Sequence, residues 1–97
     1  MEVTLVKPKL RVEIYRDEIT SRLRLLKGRY FNYGLMCGGE VEYIGYSGSL
    51  YSRLSQHKYS RGFDSVVILE FDTEAEARMN ERFMIKKLKP NSNYQYL

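Results

Sequence analysis

Glu81 is the residue least suited to its apparent position. From Thr73 to Lys89 the sequence reads as one helix. At about 100° per residue, Ala77, Met84, Ile85 and Leu88 fall within about 60° of Glu81. An ionised carboxylate in an apolar stripe is costly, or is driven to protonate, unless something offsets its charge. A divalent cation would do so, as would a buried arginine or a place at the rim of a cleft. A carboxylate at the edge of a sheet could equally snorkel to solvent or pair with an arginine. Met79 and Phe83 lie on the opposite face of this helix and could dock the N-terminal helix or the C-terminal tail.

A second group of reactive types precedes it. Arg53 and His57 are four residues apart and share one face of a helix. A guanidinium can clamp a phosphate with two hydrogen bonds, and an imidazole one turn away can move a proton or hold a second oxygen. Tyr33 and Tyr43 lie just before, in two runs that flank Cys37-Gly38-Gly39. If the loop is Cys37 to Gly39, the two tyrosines sit opposite each other on one face. If it is Gly38 and Gly39 alone, they point to opposite faces. With nine tyrosines in the chain, both also fit as ordinary strand aromatics.

These residues need a scaffold, and 97 residues supply one domain with a modest core. Hydrophobic residues at 43% and charged residues at 29% fit a folded globule and argue against a mainly disordered chain. One cysteine and one histidine exclude an internal disulfide, a cysteine-cluster zinc site and any multi-histidine metal site. No apolar run approaches the ~20 residues of a membrane span. The first residues alternate instead of forming a signal-peptide block, so a cytoplasmic, non-exported protein is expected.

Residues 2–6 alternate and predict a short strand, ended by Pro8. Val12, Tyr15, Ile19, Leu23 and Leu26 predict an amphipathic helix over 11–27. Runs 29–36 and 40–46 predict a hairpin. A helix follows from about 48 to 58, capped by Ser47 or Ser49. Residues 65–71 predict a central strand. Thr73 with Glu76 makes a capping box for the last helix, which Pro90 ends. The tail from Asn91 to Leu97 is polar and tyrosine-rich. The expected architecture is α/β (α+β): a small, mainly antiparallel three-stranded sheet flanked by helices, with a basic N-terminal helix.

The net charge of +4 resides entirely in residues 1–29, which hold eight basic and four acidic side chains; the remainder is neutral. A basic segment on a neutral body favours a polyanion, most simply nucleic acid. Arg11, Arg16, Arg22, Arg24, Lys27 and Arg29, with Lys58 and Arg61 beyond them, are the candidate backbone contacts.

Tyr43-Ile44-Gly45, Ser47, Arg53-Leu54, His57, Glu81, Pro90 and Asn93 together resemble the GIY-YIG nuclease domain, over roughly residues 29–94. The resemblance divides the chain into a basic extension, 1–28, and a nuclease-like domain, 29–97. It implies a metal-dependent DNA endonuclease. Glu81 would be the sole protein ligand of one Mg2+, with Mn2+ as a substitute. Arg53 would hold the scissile phosphate, and His57 would assist there or in proton handling. Tyr33 would act as base or orient the attacking water, Tyr43 would help to position it, and Asn93 would support the site from the tail. The first half of the signature reads Phe31-Asn32-Tyr33 in place of Gly-Ile-Tyr, and the hairpin is shorter than is usual in the family.

DNA would be the partner, with the basic extension as a non-specific clamp. One active site nicks, so double-strand cleavage would need a homodimer, sequential nicks or a recruiting partner protein. A binding module of the same fold that holds nucleic acid without cutting it is the second expectation. A protein-interaction domain meeting an acidic partner is the third.

Overall fold

The computed structural model describes residues 7–94, apart from the side chains of Ser60 and Tyr94. The strand expected at 2–6 lies outside them. Two glycines start the hairpin. Gly38 (φ 59°) and Gly39 (φ 84°) form a two-residue turn with positive φ, the conformation that suits the twist of a tight hairpin and favours glycine. Strand β2 (Tyr30–Cys37) and strand β3 (Glu40–Ser47) run from this turn. Cys37 faces Glu40 and Met36 faces Val41; a bulge then leaves Leu35 opposite Tyr43 and Tyr33 opposite Gly45. Neither of the two simple registers survives. The turn is the two-residue one, but the extra residue in β3 returns Tyr33 and Tyr43 to the same face.

The sheet has four strands, all antiparallel, in the order β1-β4-β2-β3. Strand β4 (Ser65–Phe71) is central, as expected. The fourth strand, β1 (Leu10–Tyr15), is a correction: residues 11–27 are not one helix. Leu10, Val12 and Ile14 alternate with Arg11 and Glu13, a period of two within the longer helical stripe. Ile14 lies opposite Val66 on β4 and is 1% exposed. The remainder of that segment is a 3-10 turn (Arg16–Glu18), one turn of helix α1 (Ile19–Arg22) and a second 3-10 turn (Leu23–Leu25). Gly28 caps no helix. It lies against Glu70, where a Cβ would come within 2.3 Å of the carboxylate.

Helix α2 (Leu50–Ser60) starts at Ser49, whose backbone N–H donates to the Ser47 hydroxyl at 2.9 Å. Helix α3 (Glu74–Leu88) starts at Thr73, which accepts from the Glu76 N–H at 3.1 Å. It ends at Lys89 in the left-handed conformation, followed by buried Pro90. A last turn, α4 (Asn91–Tyr94), follows.

Three layers result. Phe31, Tyr33, Leu35, Val66, Ile68 and Ile14 face Ile19, Leu23, Leu50, Leu54 and Phe63 in one buried cluster. The other face of the sheet meets α3, where Asn32 donates to the Ala77 carbonyl at 2.7 Å. Met79 and Phe83, on the outer side of α3, stay about 40% exposed. Among the described residues, no helix is long and apolar enough to cross a membrane.

Residues 10–26 therefore share a sheet and a core with the rest, and packing does not break at 28/29. Ile14→Ala is expected to destabilise the protein by about 2–5 kcal/mol, the usual cost of emptying a buried isoleucine site. Urea unfolding measures this; a change within about 0.5 kcal/mol would show that the segment is an appended arm.

Candidate active site

Tyr33 lies on β2, an inner strand of the sheet between β4 and β3, and is 2% exposed. Its ring crosses the Gly45 backbone on the facing strand. A Cβ built at Gly45 would stand 2.5 Å from the Tyr33 hydroxyl and ring, well inside contact distance. Only a bare backbone admits the ring there. The hydroxyl thereby reaches His57 on α2, with Oη to Nε2 at 2.8 Å. Tyr43 closes the group, its ring centroid 6.1 Å from Tyr33 and 5.3 Å from His57.

Burial sets the protonation states here. It pushes the Tyr33 phenol well above the ordinary tyrosine range, and the adjacent Tyr43 raises it further. Burial also lowers the His57 pKa below its ordinary 6.5, and the charges of Arg61 and Arg53 lower it again. His57 is thus neutral at pH 7. In the neutral tautomer that carries its proton on Nδ1, Nε2 accepts this bond and the Tyr33 hydroxyl donates it.

Tyr33 and Tyr43 form part of an open cleft of about 530 Å³ that wraps round the β3 edge of the sheet. Arg53, exposed in the first turn of α2, enters from one side; Glu81 on α3 enters from the other. Ser47, Gly48 and Ser49 form the connecting rim. Glu81 is half-buried instead of centred in a core stripe; of its helix only Ala77 and Asn80 are buried. Burial raises its pKa above 4.5, while Arg78, Arg82 and a hydrogen bond from the Tyr46 backbone lower it. The rim of a cleft is therefore the offset realised among those the sequence left open.

Asn93 does not enter the cleft lining. Its side chain clamps the outer edge of β3: Oδ1 accepts from the Ile44 N–H at 2.7 Å, and Nδ2 donates to the Ile44 carbonyl at 2.8 Å. This holds the backbone between Tyr43 and Gly45, a supporting position.

The eight candidate nucleic-acid contacts do not share one face. Arg11 is on β1, at the opposite edge of the sheet from the cleft. Arg16 is not free to clamp a phosphate. Its guanidinium donates to the carbonyls of Lys58, Arg61 (2.9 Å) and Phe63 (3.5 Å), and packs over the Phe63 ring. It caps the C-terminal end of α2. Arg22 pairs with Glu18 at 3.3 Å. Arg24 and Lys27 are exposed and Lys58 is half-buried. The Arg29 side chain is exposed, with its backbone carbonyl near Gly48 of the rim, and Arg61 stacks on Tyr43 at 4.4 Å.

Sequence reasoning missed a buried pair. Asn32 is 3% exposed and Asn80 8%. Asn80 Nδ2 donates to Asn32 Oδ1 at 2.6 Å, while Asn32 donates to Ala77. Asn32 lies on β2 directly before Tyr33. Its polar side chain is matched by Asn80, next to Glu81, so the pair ties the acid-bearing helix to β2. The signal was an asparagine on the inner face of each element.

Among the described residues no group of three or more His, Cys, Asp or Glu could hold a metal ion. Among the described residues Glu81 is the only acid lining the cleft. That donor set fits Mg2+, which usually keeps several waters and takes one or two carboxylates together with substrate phosphate. Comparison with protein-family models, curated proteins and solved structures finds no match to this chain.

Gly45→Ala is expected to displace Tyr33, cost about 1–3 kcal/mol of stability, and return the His57 pKa towards 6.5 as water enters. NMR titration of this single histidine reads it directly; an unchanged pKa in a folded variant would separate His57 from the Tyr33 packing.

Proposed function

We propose that this protein is a Mg2+-dependent DNA endonuclease of the GIY-YIG type that nicks one strand per active site. The observation that carries the reading is convergence: Tyr33, Tyr43, Arg53 and Glu81 come from four elements and line one cleft, with His57 bonded behind Tyr33. The cleft is open enough for a phosphodiester, and its cationic wall suits one.

Arg53 holds the scissile phosphate through its two terminal nitrogens and offsets charge that builds on it. Glu81 would hold the Mg2+; when bound, the ion supplies charge stabilisation to the phosphate and the leaving oxygen. The attacking water sits against the Tyr33 and Tyr43 hydroxyls. A buried, protonated phenol is no base by itself. Tyr33 instead works as a relay: it takes the water proton on Oη and passes its own proton to Nε2 of His57. The water oxygen attacks phosphorus, the bond to the leaving oxygen breaks, that oxygen takes a proton from solvent, and His57 ends protonated and returns its proton to solvent before the next turnover. Substrate favours this step. Arg53 lowers the imidazole pKa in the free protein, and a phosphate on Arg53 neutralises that charge, making His57 a better acceptor when DNA is bound.

The second reading is a nucleic-acid-binding module of this fold that cuts slowly or not at all. The elevated Tyr33 pKa and the altered first signature half favour it. It predicts EDTA-insensitive binding without strand cleavage. DNA as partner, a homodimer or recruiting protein, and a cytoplasmic setting belong to the same proposal.

Supercoiled plasmid with Mg2+ is expected to relax with wild-type protein. Glu81→Ala and Arg53→Ala should lower the rate at least 100-fold while keeping the wild-type melting curve. Equal rates for wild type and Glu81→Ala would remove the metal site from the mechanism.

Activity should fall on acidification, because only neutral His57 accepts the proton. In kcat/KM the acid limb should lie below pH 6.5, reporting free protein; in kcat it should move upward, reporting the DNA complex. His57→Gln should remove the upper part of the acid limb. A profile of kcat/KM that instead declines only above pH 8 would contradict a neutral-imidazole acceptor.

A further inference from the structure

The β3 edge carries two arginine–aromatic stacks, one on each face of the sheet. Arg61 lies over Tyr43 on the α2 side, and Arg78 lies over Tyr46 on the α3 side, 4.2 Å from the ring centroid. Arg78 is exposed and lines the same cleft as Arg53 and Glu81. Its Nε donates to Glu74 one turn earlier at 2.9 Å. That bond and the Tyr46 ring fix the plane of the guanidinium and leave its two terminal nitrogens as donors. An arginine held this way has less side-chain freedom to lose when it binds an anion, and its flat fork matches a phosphate. An ammonium would lack the fork and much of the stacking.

Among the described residues two acids act on Arg78: Glu74, with which it pairs, and Glu81, whose charge it offsets. The ion pair with Glu74 uses one edge of the guanidinium and is exposed, so it contributes little to stability. Arg78 stands on the α3 wall and Arg53 on the α2 wall of one cleft. A strand lying across β3 would meet both in succession.

We propose that Arg78, seated on Tyr46, holds the DNA phosphate next to the scissile one. It thereby sets the direction of the strand across the β3 edge. This rests on the endonuclease reading for the choice of ligand, but makes a claim about binding alone. Arg78 takes no part in proton transfer; its role is to register the substrate backbone.

The test is binding of a fluorescent 20-base-pair duplex by full-length protein in EDTA, over a KCl series, for wild type, Arg78→Ala, Arg78→Lys and Arg53→Ala. Arg78→Ala should weaken binding roughly tenfold and reduce the slope of log K against log salt by about one. Arg78→Lys should restore the slope and only part of the affinity. Circular dichroism melts check that each variant is folded. If Arg53→Ala weakens binding and Arg78→Ala changes neither affinity nor slope, this inference fails and the endonuclease reading stands. If wild type binds with the Arg78 dependence but leaves plasmid uncut in Mg2+, the endonuclease reading fails and Arg78 stands as a DNA-phosphate contact without a scissile neighbour. If wild type does not bind the duplex, both fail.

Discussion

The site depends on one close approach: the Tyr33 ring laid over the bare backbone of Gly45. Any Cβ at 45 would occupy the place of the hydroxyl. From this follow the 2.8 Å contact with His57, the packing of Tyr43 against both rings, and a neutral imidazole under two arginines. The hairpin bulge serves the same end, since without it Tyr43 would turn to the other face. A tight turn, a bulge and a glycine, each local, together build a buried polar pair. Such a pair is tolerated in a core because each member satisfies the other.

β3 is an edge strand, and exposed edges invite pairing with other chains. Here the edge is covered by side chains. Asn93 takes both backbone groups of Ile44, Ser92 bonds Glu42 at 2.9 Å, and Glu81 accepts from the Tyr46 backbone. Of these groups Glu81 also lines the cleft. Glu81 thus has a structural role in covering the edge and a proposed one in holding a cation, and its half-buried position serves both.

Some of this was legible in the sequence and some was not. The hairpin glycines, the Thr73 cap and the β-branched run at 65–71 act through local backbone preferences, which do not depend on the rest of the chain. Residues 11–27 misled because two periods coexist there. Tyr15, Ile19, Leu23 and Leu26 continue a helical stripe, while Leu10, Val12 and Ile14 alternate. The strand prevailed at 10–15 because β4 offered an unpaired edge, which satisfies backbone groups as a helix would and buries Ile14 as well. Arg16 was read as a free cation, yet the end of α2 supplies three carbonyls to it. Nothing near Arg16 in sequence announces them.

Residue types, their spacing and their local caps are determined by the sequence alone, and these single out Tyr33, Tyr43, Arg53, His57 and Glu81 as the candidate reactive set. Fold class and three of the strands were likewise readable, because turn chemistry and side-chain alternation are short-range. The tertiary structure decided which of these residues meet, which arginines remain free, and that Asn32 has a partner in Asn80. Most of those outcomes depend on contacts between residues ten or more positions apart, and on burial, which changes the proton affinity of His57, Tyr33 and Glu81 in ways that no local pattern encodes.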